Sequence, residues 1–296
     1  MNELTTVDAK TYAEMAKVMG MSLSTGTREK TSSLARLRLN HNPIMGESEV
    51  NGKKVKMEIV GAGTYKLDIP DGPTYYAESA VIKPYAKRFM YKRFVMGSDK
   101  TPNRYIKTVM ADSLTIDLKD NDGGFNCGKP AGYIQDFKAL PEKTQELIRQ
   151  IKRVLVMFGT VELTNAVDES GNSVDVPATP FIWEIENRDA FKTVSEVLNK
   201  YEKMRRLLVQ HKLIGTTEER KLPNGNSFYL PVTQLDLSET FGIDNETRET
   251  LENFKAWVNN YNEYILSAWD ENAHKSEVVD TEMVEDFIDV DMEDFA

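Results

Sequence analysis

From Leu34 onward the chain alternates with a period of two. Leu37 and Leu39 point one way while Arg36 and Arg38 point the other, the pattern of a half-buried strand. Val55, Met57 and Ile59 alternate after Asn51-Gly52, a pair that tolerates the positive φ of both central positions in a tight hairpin turn. Tyr65, Leu67 and Ile69 alternate again before the turn Asp71-Gly72-Pro73. Further strand signals fall at 75–82, 88–96, 105–110, 114–118, 153–163 and 181–185. Asn224-Gly225 turns a second hairpin, with Phe228, Leu230 and Val232 alternating on its return. Elsewhere the period changes to that of a helix. Asp8 caps a short helix to about residue 19, and Pro141 opens another over 142–150. Asn187 caps a longer one over 187–212, with Phe191, Val194, Val197, Leu198, Tyr201 and Leu208 on one stripe. Asp244 caps the last, over 244–271, carrying Leu251, Phe254, Val258, Tyr261 and Ile265.

Many short strands joined by turn residues, with helices between them, predict an α+β protein: a β-rich, OB-like barrel with accessory helices packed outside. Three segments are expected. Residues 1–26 form a helix and arm whose Tyr12, Met15 and Met19 serve self-association, 27–275 form the body, and 276–296 form a disordered acidic tail.

Charge changes this picture more than composition does. The net charge is -10, yet residues 277–296 hold Glu277, Asp280, Glu282, Glu285, Asp286, Asp289, Asp291, Glu293 and Asp294 with no Lys or Arg. The remainder of the chain is therefore close to neutral. Hydrophobic residues make up 40%, enough for a substantial core. No run approaches the ~18 apolar residues of a membrane span, and Met1-Asn2-Glu3-Leu4 lacks a signal-peptide pattern. Cys127 is the single cysteine, so neither a disulfide framework nor a thiolate cluster for zinc is expected, and the compartment expected is cytoplasmic.

Within that neutral body one segment stands apart. Lys83, Lys87, Arg88, Lys92, Arg93, Lys100, Arg104 and Lys107 face a single acid, Asp99, and alternate with Tyr85, Phe89, Tyr91, Phe94 and Tyr105. Single-stranded nucleic acid needs both ingredients, cations to replace condensed counterions and rings on which unpaired bases stack. Arg36 and Arg38 extend the set. The competing account is a strand whose Lys and Arg guard a sheet edge while its rings turn inward. The tail sets Val284, Phe287, Ile288, Val290, Met292 and Phe295 among its acids. Phe287, Asp291, Glu293, Asp294 and Phe295 have the character of a peptide that docks into basic, apolar-floored pockets on partners. Another reading lays it across the body's own basic strip.

A β-rich body with a basic aromatic face, followed by an acidic tail holding Asp294-Phe295-Ala296, resembles the replication single-stranded DNA-binding proteins of tailed bacteriophages. The resemblance implies an OB-fold with helical additions and a DNA groove lined by residues 83–107. It also implies that Phe287 and Phe295 serve polymerase, primase-helicase or recombination enzymes. One branch of that group holds a structural zinc. With only Cys127 and the scattered His41, His211 and His274, this chain departs from it.

The function expected is therefore coating of single-stranded DNA in replication or recombination, without catalysis, metal or cofactor, with recruitment of partner enzymes through the tail. The alternatives are a phage structural or scaffolding protein and a nuclease or polymerase accessory factor using Asp117 and Asp122 with a metal. An EF-hand starting at Asp120 fails at its twelfth position, which is Ala131. Gly123, Gly124, Gly128 and Gly132 do not form a phosphate loop, since no Gly-Lys-Ser/Thr follows.

Overall fold

The two-residue period runs straight into the observed core. In β8 (Ile151–Thr164) Leu155, Met157, Val161 and Leu163 face one hydrophobic cluster, while Val154, Val156 and Phe158 face another. A strand buried on both sides in this way must be central to its sheet. The computed structural model describes residues 33–50, 53–97, 102–222 and 225–288. The arm expected over 1–26, and the tail positions Asp291, Glu293, Asp294 and Phe295, lie outside the described residues.

The strands are β1 (Ala35–Asn40), β2 (Ile44–Val50), β3 (Lys53–Val60), β4 (Thr64–Asp68), β5 (Thr74–Ala77), β6 (Ser79–Val95) and β7 (Arg104–Lys107), followed after α1 by β8, then β9 (Thr179–Ile185), β10 (Leu213–Lys221) and β11 (Ser227–Leu235). The helices are α1 (Glu142–Gln150), α2 (Arg188–Lys203) and α3 (Asn245–Ile288). The main sheet runs β11-β10-β6-β8-β9-β1-β4-β5, with β7 added beside β6, and β2 and β3 form a separate ribbon. Pairing is antiparallel except between β1 and β9. The α+β class expected from the pattern is observed.

The barrel is not. The sheet curls until its two ends meet: Tyr65 on β4 donates its hydroxyl to Thr216 O on β10 at 3.2 Å, and Thr217 Oγ1 donates to Gly63 O at 2.5 Å. Gly63 sits at φ 79, and a Cβ there would strike the Tyr229 ring at 2.4 Å. These are side-chain contacts, and no backbone ladder joins the ends, so the strand path stays open. Three boundaries also differ from expectation. The segments expected at 75–82 and 88–96 lie largely in one 17-residue strand, β6, which crosses Pro84 by a bulge between Pro84 and Ala86. A bulge is where a central strand tolerates proline. There β8 comes so near that a Cβ on Gly159 would meet Lys83 O at 2.4 Å. Residues 114–116 form bends, and 117–118 are irregular, in place of a strand. The helix α2 stops at Lys203, well short of 212, because Arg205 turns to φ 54.

Both helix caps match the sequence reading. Asn187 Oδ1 accepts from Asp189 N and Ala190 N, and Asp244 Oδ1 accepts from Thr247 N at 2.8 Å. On one side of the sheet α2 contributes Val194, Leu198 and Tyr201 to the larger cluster. On the other, α3 lays Phe254 and Val258 over Met90, Val156 and Phe158. Further along, α3 binds backbone directly. Asn262 accepts from Met110 N at 2.7 Å and donates to Met110 O at 2.9 Å, Tyr261 donates to Thr108 O, and Trp269 Nε1 donates to Gly124 O. Its helical backbone continues to Ile288, past residue 276 where the sequence places the start of a disordered tail. Among the described residues, no helix is long and apolar enough to cross a membrane.

Phe158 packs against Phe254 and Trp257 in tilted ring contacts at 5.8 and 5.5 Å, so it is the joint between α3 and the sheet. Phe158→Ala is expected to destabilise the fold by about 3–5 kcal/mol, read as a lower midpoint in urea unfolding.

Candidate nucleic-acid interface

Because β6 lies between β8 and β10 and is packed from both faces, the segment 83–107 cannot present all its rings to solvent. Phe89 turns toward α2 and meets Phe191 at 5.9 Å. Tyr91 is 5% exposed, and its hydroxyl donates to Leu114 O at 3.3 Å. Tyr85, the extra residue of the bulge, packs against Phe254 of α3 at 5.5 Å. The cations divide as well. Lys87 pairs with Glu202 of α2 at 2.6 Å, Arg88 with Asp112 at 3.0 Å, and Arg104 with Asp122. Lys83 sits over the Tyr85 and Phe241 rings, and the half-buried Arg93 has an Nε without a hydrogen-bond partner among the described residues. Lys100 lies outside the described residues. The continuous strip of stacking rings is therefore corrected: Tyr85, Phe89 and Tyr91 are packing residues, and Lys83, Lys87, Arg88, Arg93 and Arg104 are dispersed over both faces and the rim.

A smaller set does converge. On the α3 side of the sheet, beyond the end of the helix-covered area, lies a cleft of about 770 Å³. Arg36 and Arg38 enter from β1, Lys92 from β6, Tyr105 and Lys107 from β7, and Trp257 from α3. Glu184 on β9 and the adjacent Glu186 complete its floor, with Asp68 on the rim. Strand alternation explains the placement: Leu37 is buried in the core, so Arg36 and Arg38 must face out. Arg38 lies 3.7 Å from Asp68, whereas Arg36 makes no ion pair with any described residue. Lys92 Nζ hangs over the Tyr105 ring at 4.8 Å, and Tyr105 pairs with Phe94 at 5.1 Å. These two rings are 51% and 43% exposed, respectively, the available faces that the sequence anticipated for all five. Trp257 stacks on Tyr261 with only 6° between the planes.

The electrostatics are set by a half-buried knot of ions. The Lys92 side chain, 12% exposed, donates to Glu184 at 2.9 Å and also to Glu186, which in turn accepts from Lys152 at 2.9 Å. Burial works to lower the Lys92 pKa, but the two carboxylates outweigh it and hold the ammonium above its ordinary range. Lys107 goes the other way. Burial lowers its pKa, Lys92 and Arg36 push in the same direction, and Glu184 at 3.8 Å compensates only partly. Burial would raise Glu186, yet its hydrogen bonds from Lys92 and Lys152 depress it. The cleft thus holds four cations against three carboxylates, with two aromatic walls. It is suited to an anionic chain carrying flat groups, because phosphates can take over ammonium and guanidinium groups while rings meet rings.

Sequence reasoning missed Trp257 and missed the acids. Only Glu184's position, alternating with Trp183 and Ile185 on a strand, marked it as facing away from the core. The loop with Asp117, Asp120 and Asp122 has a structural occupation. The buried Asp120 accepts from the N–H groups of Asp122, Gly124 and Cys127, and burial raises its pKa.

Glu186 also supplies a pH signature. A depressed folded pKa contributes stability that is full above the unfolded carboxylate value of ~4.3 and is lost as pH falls through the folded value. Glu186→Gln is therefore expected to lower stability near neutral pH and to flatten its decline in acid, in urea unfolding followed from about pH 6 to about pH 3. No family model, curated protein or solved structure matches this chain.

Proposed function

We propose that this chain binds single-stranded DNA in the cleft between β1, β7, β9 and α3, without chemistry, as a coating protein of replication or recombination. One observation carries the reading: Arg36, Arg38, Lys92 and Lys107 share a single concavity with the faces of Tyr105 and Trp257. Phosphates bind by displacing Glu184, Glu186 and Asp68 from their lysines and arginines, releasing counterions in proportion to the contacts made. Tyr105, extended by Phe94, gives unpaired bases a platform that paired bases cannot use. Stacking on the rings and phosphate contact with the cations tolerate any base, so binding independent of sequence is expected. Residues 276–296 supply the partner-recruiting segment of the same proposal.

With four phosphate contacts, log affinity for single strands is expected to fall with log salt at a slope of roughly -3. Arg36→Ala and Tyr105→Ala should each weaken binding about tenfold, Tyr105 by losing ~1–3 kcal/mol of stacking. Phe89→Ala, a packing change, should leave the affinity of the folded fraction unaltered. Fluorescence anisotropy of a labelled thymidine oligonucleotide, with a duplex competitor, measures all three. Wild-type affinity in both Arg36→Ala and Tyr105→Ala would remove the cleft from the reading.

A further inference from the structure

A second concavity, of about 390 Å³, opens on the α2 side of the sheet, away from the cleft. Lys200, Lys203 and Met204 form one wall, at the end of α2. Thr233, Leu235 and Leu237, on or just past β11, form the other. Two things about it are unexplained by folding. Lys200 and Lys203, with the neighbouring Arg205 and Arg206, are exposed and make no ion pair with a described residue, although most cations of β6 do. In the wall, Thr233 is 7% exposed and its buried hydroxyl has no hydrogen-bond partner among the described residues. Leu237, 58% exposed, and Met204 add apolar surface at the mouth. A site with cations at the rim, apolar walls and one idle hydroxyl fits an acidic peptide with apolar side chains set into it.

The chain contains such a peptide. Residues 289–296, Asp-Val-Asp-Met-Glu-Asp-Phe-Ala, interleave four carboxylates with Val290, Met292 and Phe295. Four unpaired cations answer four carboxylates, and a pocket of this volume accepts one large side chain.

Geometry decides between the molecule's own segment and that of a neighbour. The chain leaves the pocket at Leu237 and turns into α3 at Asn245. That helix then runs away across the sheet until Asn272 and Ala273 meet the loop at Asn121–Gly123. At 1.5 Å per residue this is a distance of about 42 Å, and the helix continues outward for about 22 Å more to Ile288. Eight further residues reach at most about 29 Å. They cannot return to the end of α2 on their own subunit.

We infer that residues 289–296 of one copy dock in the Lys200–Leu237 pocket of another copy. Phe295 or Met292 enters between Met204 and Leu237, the carboxylates meet Lys200 and Lys203, and the Thr233 hydroxyl gains a partner. Pocket and segment are different surfaces, so the contact is heterologous and repeats without closing unless a ring forms. Insofar as the chain coats single-stranded DNA, the same contact sets successive copies in a row.

Sedimentation velocity of the full chain without nucleic acid tests this. Wild type is expected to associate with rising concentration, more weakly in high salt. Lys200→Glu/Lys203→Glu and, separately, Asp291→Lys/Asp294→Lys should each weaken association by about tenfold or more. An equimolar mixture of the two should restore it, because each supplies the partner for the other's altered half. Leu237→Asp, at an exposed position, should weaken it as well, with circular dichroism confirming the fold of every variant. A wild type that stays monomeric, variants that associate like wild type, or a mixture that is not rescued would each overturn the inference, the last also being the result if the segment binds its own subunit. Wild-type DNA affinity in the cleft variants with rescue intact would remove the functional reading alone, and weakened DNA binding in those variants without rescue would remove only this contact.

Discussion

The long strand β6 is the constraint on which the rest of the molecule depends. It hydrogen-bonds to β8 along almost its whole length, to β10 at its start and to β7 at its end, and it is covered by α2 on one face and α3 on the other. A strand in that position has little freedom to display its side chains. Tyr85, Phe89 and Tyr91 go inward, Phe94 near its end stays open, and Lys87, Arg88 and Lys92 lay their stems along the core while their heads find acids at its margins. Lys87 and Arg88 do so toward opposite faces. The bulge at Tyr85 makes this tolerable: it admits Pro84 and shifts the phase of alternation, so that Phe89 after it meets the same cluster as Ala80 and Ile82 before it, and Met90 meets the other.

What remains open on the sheet is the area that α3 does not cover, and it is there that the cleft forms. Its charged floor is held in place by Lys92, which reaches across β8 to two carboxylates on and just past β9. An ion knot of this kind positions groups more than it stabilises the fold, since each ion gives up hydration to enter it. The opposed pKa shifts of Lys92 and Lys107 follow from the same geometry: burial lowers both, the two carboxylates bonded to Lys92 outweigh it, and the more distant Glu184 does not outweigh it at Lys107, where Lys92 and Arg36 add to it.

The sequence was informative wherever the determining interaction is local. Asn187 and Asp244 cap helices through bonds spanning two or three residues, and Asn224-Gly225 announces a hairpin by backbone preference alone. Arg36 and Arg38 were legible as outward-facing for the same reason. The cleft was not legible, because it joins positions near 36, 92, 105, 184 and 257, and nothing in the spacing of those residues encodes strand order. Phe89 and Tyr91 were indistinguishable from Phe94 and Tyr105 by composition. They differ only in which neighbours the topology gives them. The open curl in place of a barrel is a fact about where Gly63 and Thr217 meet, which no period along the chain expresses.

The way Asn262 grips Met110 has a consequence for how the molecule is assembled. The peptide group of Met110 is served on both its N–H and its C=O by one amide side chain, much as an adjacent strand would serve it. With Tyr261 on Thr108 and Trp269 on Gly124, helix α3 acts as a surrogate neighbour for a stretch lying some 145 to 153 positions earlier. Backbone groups buried without partners are costly, so these peptide groups, on a stretch whose other backbone bonds run to β6 and to Lys119, are completed only with the helix in place. The margin of the cleft next to β7 is therefore finished by a helix made long after it.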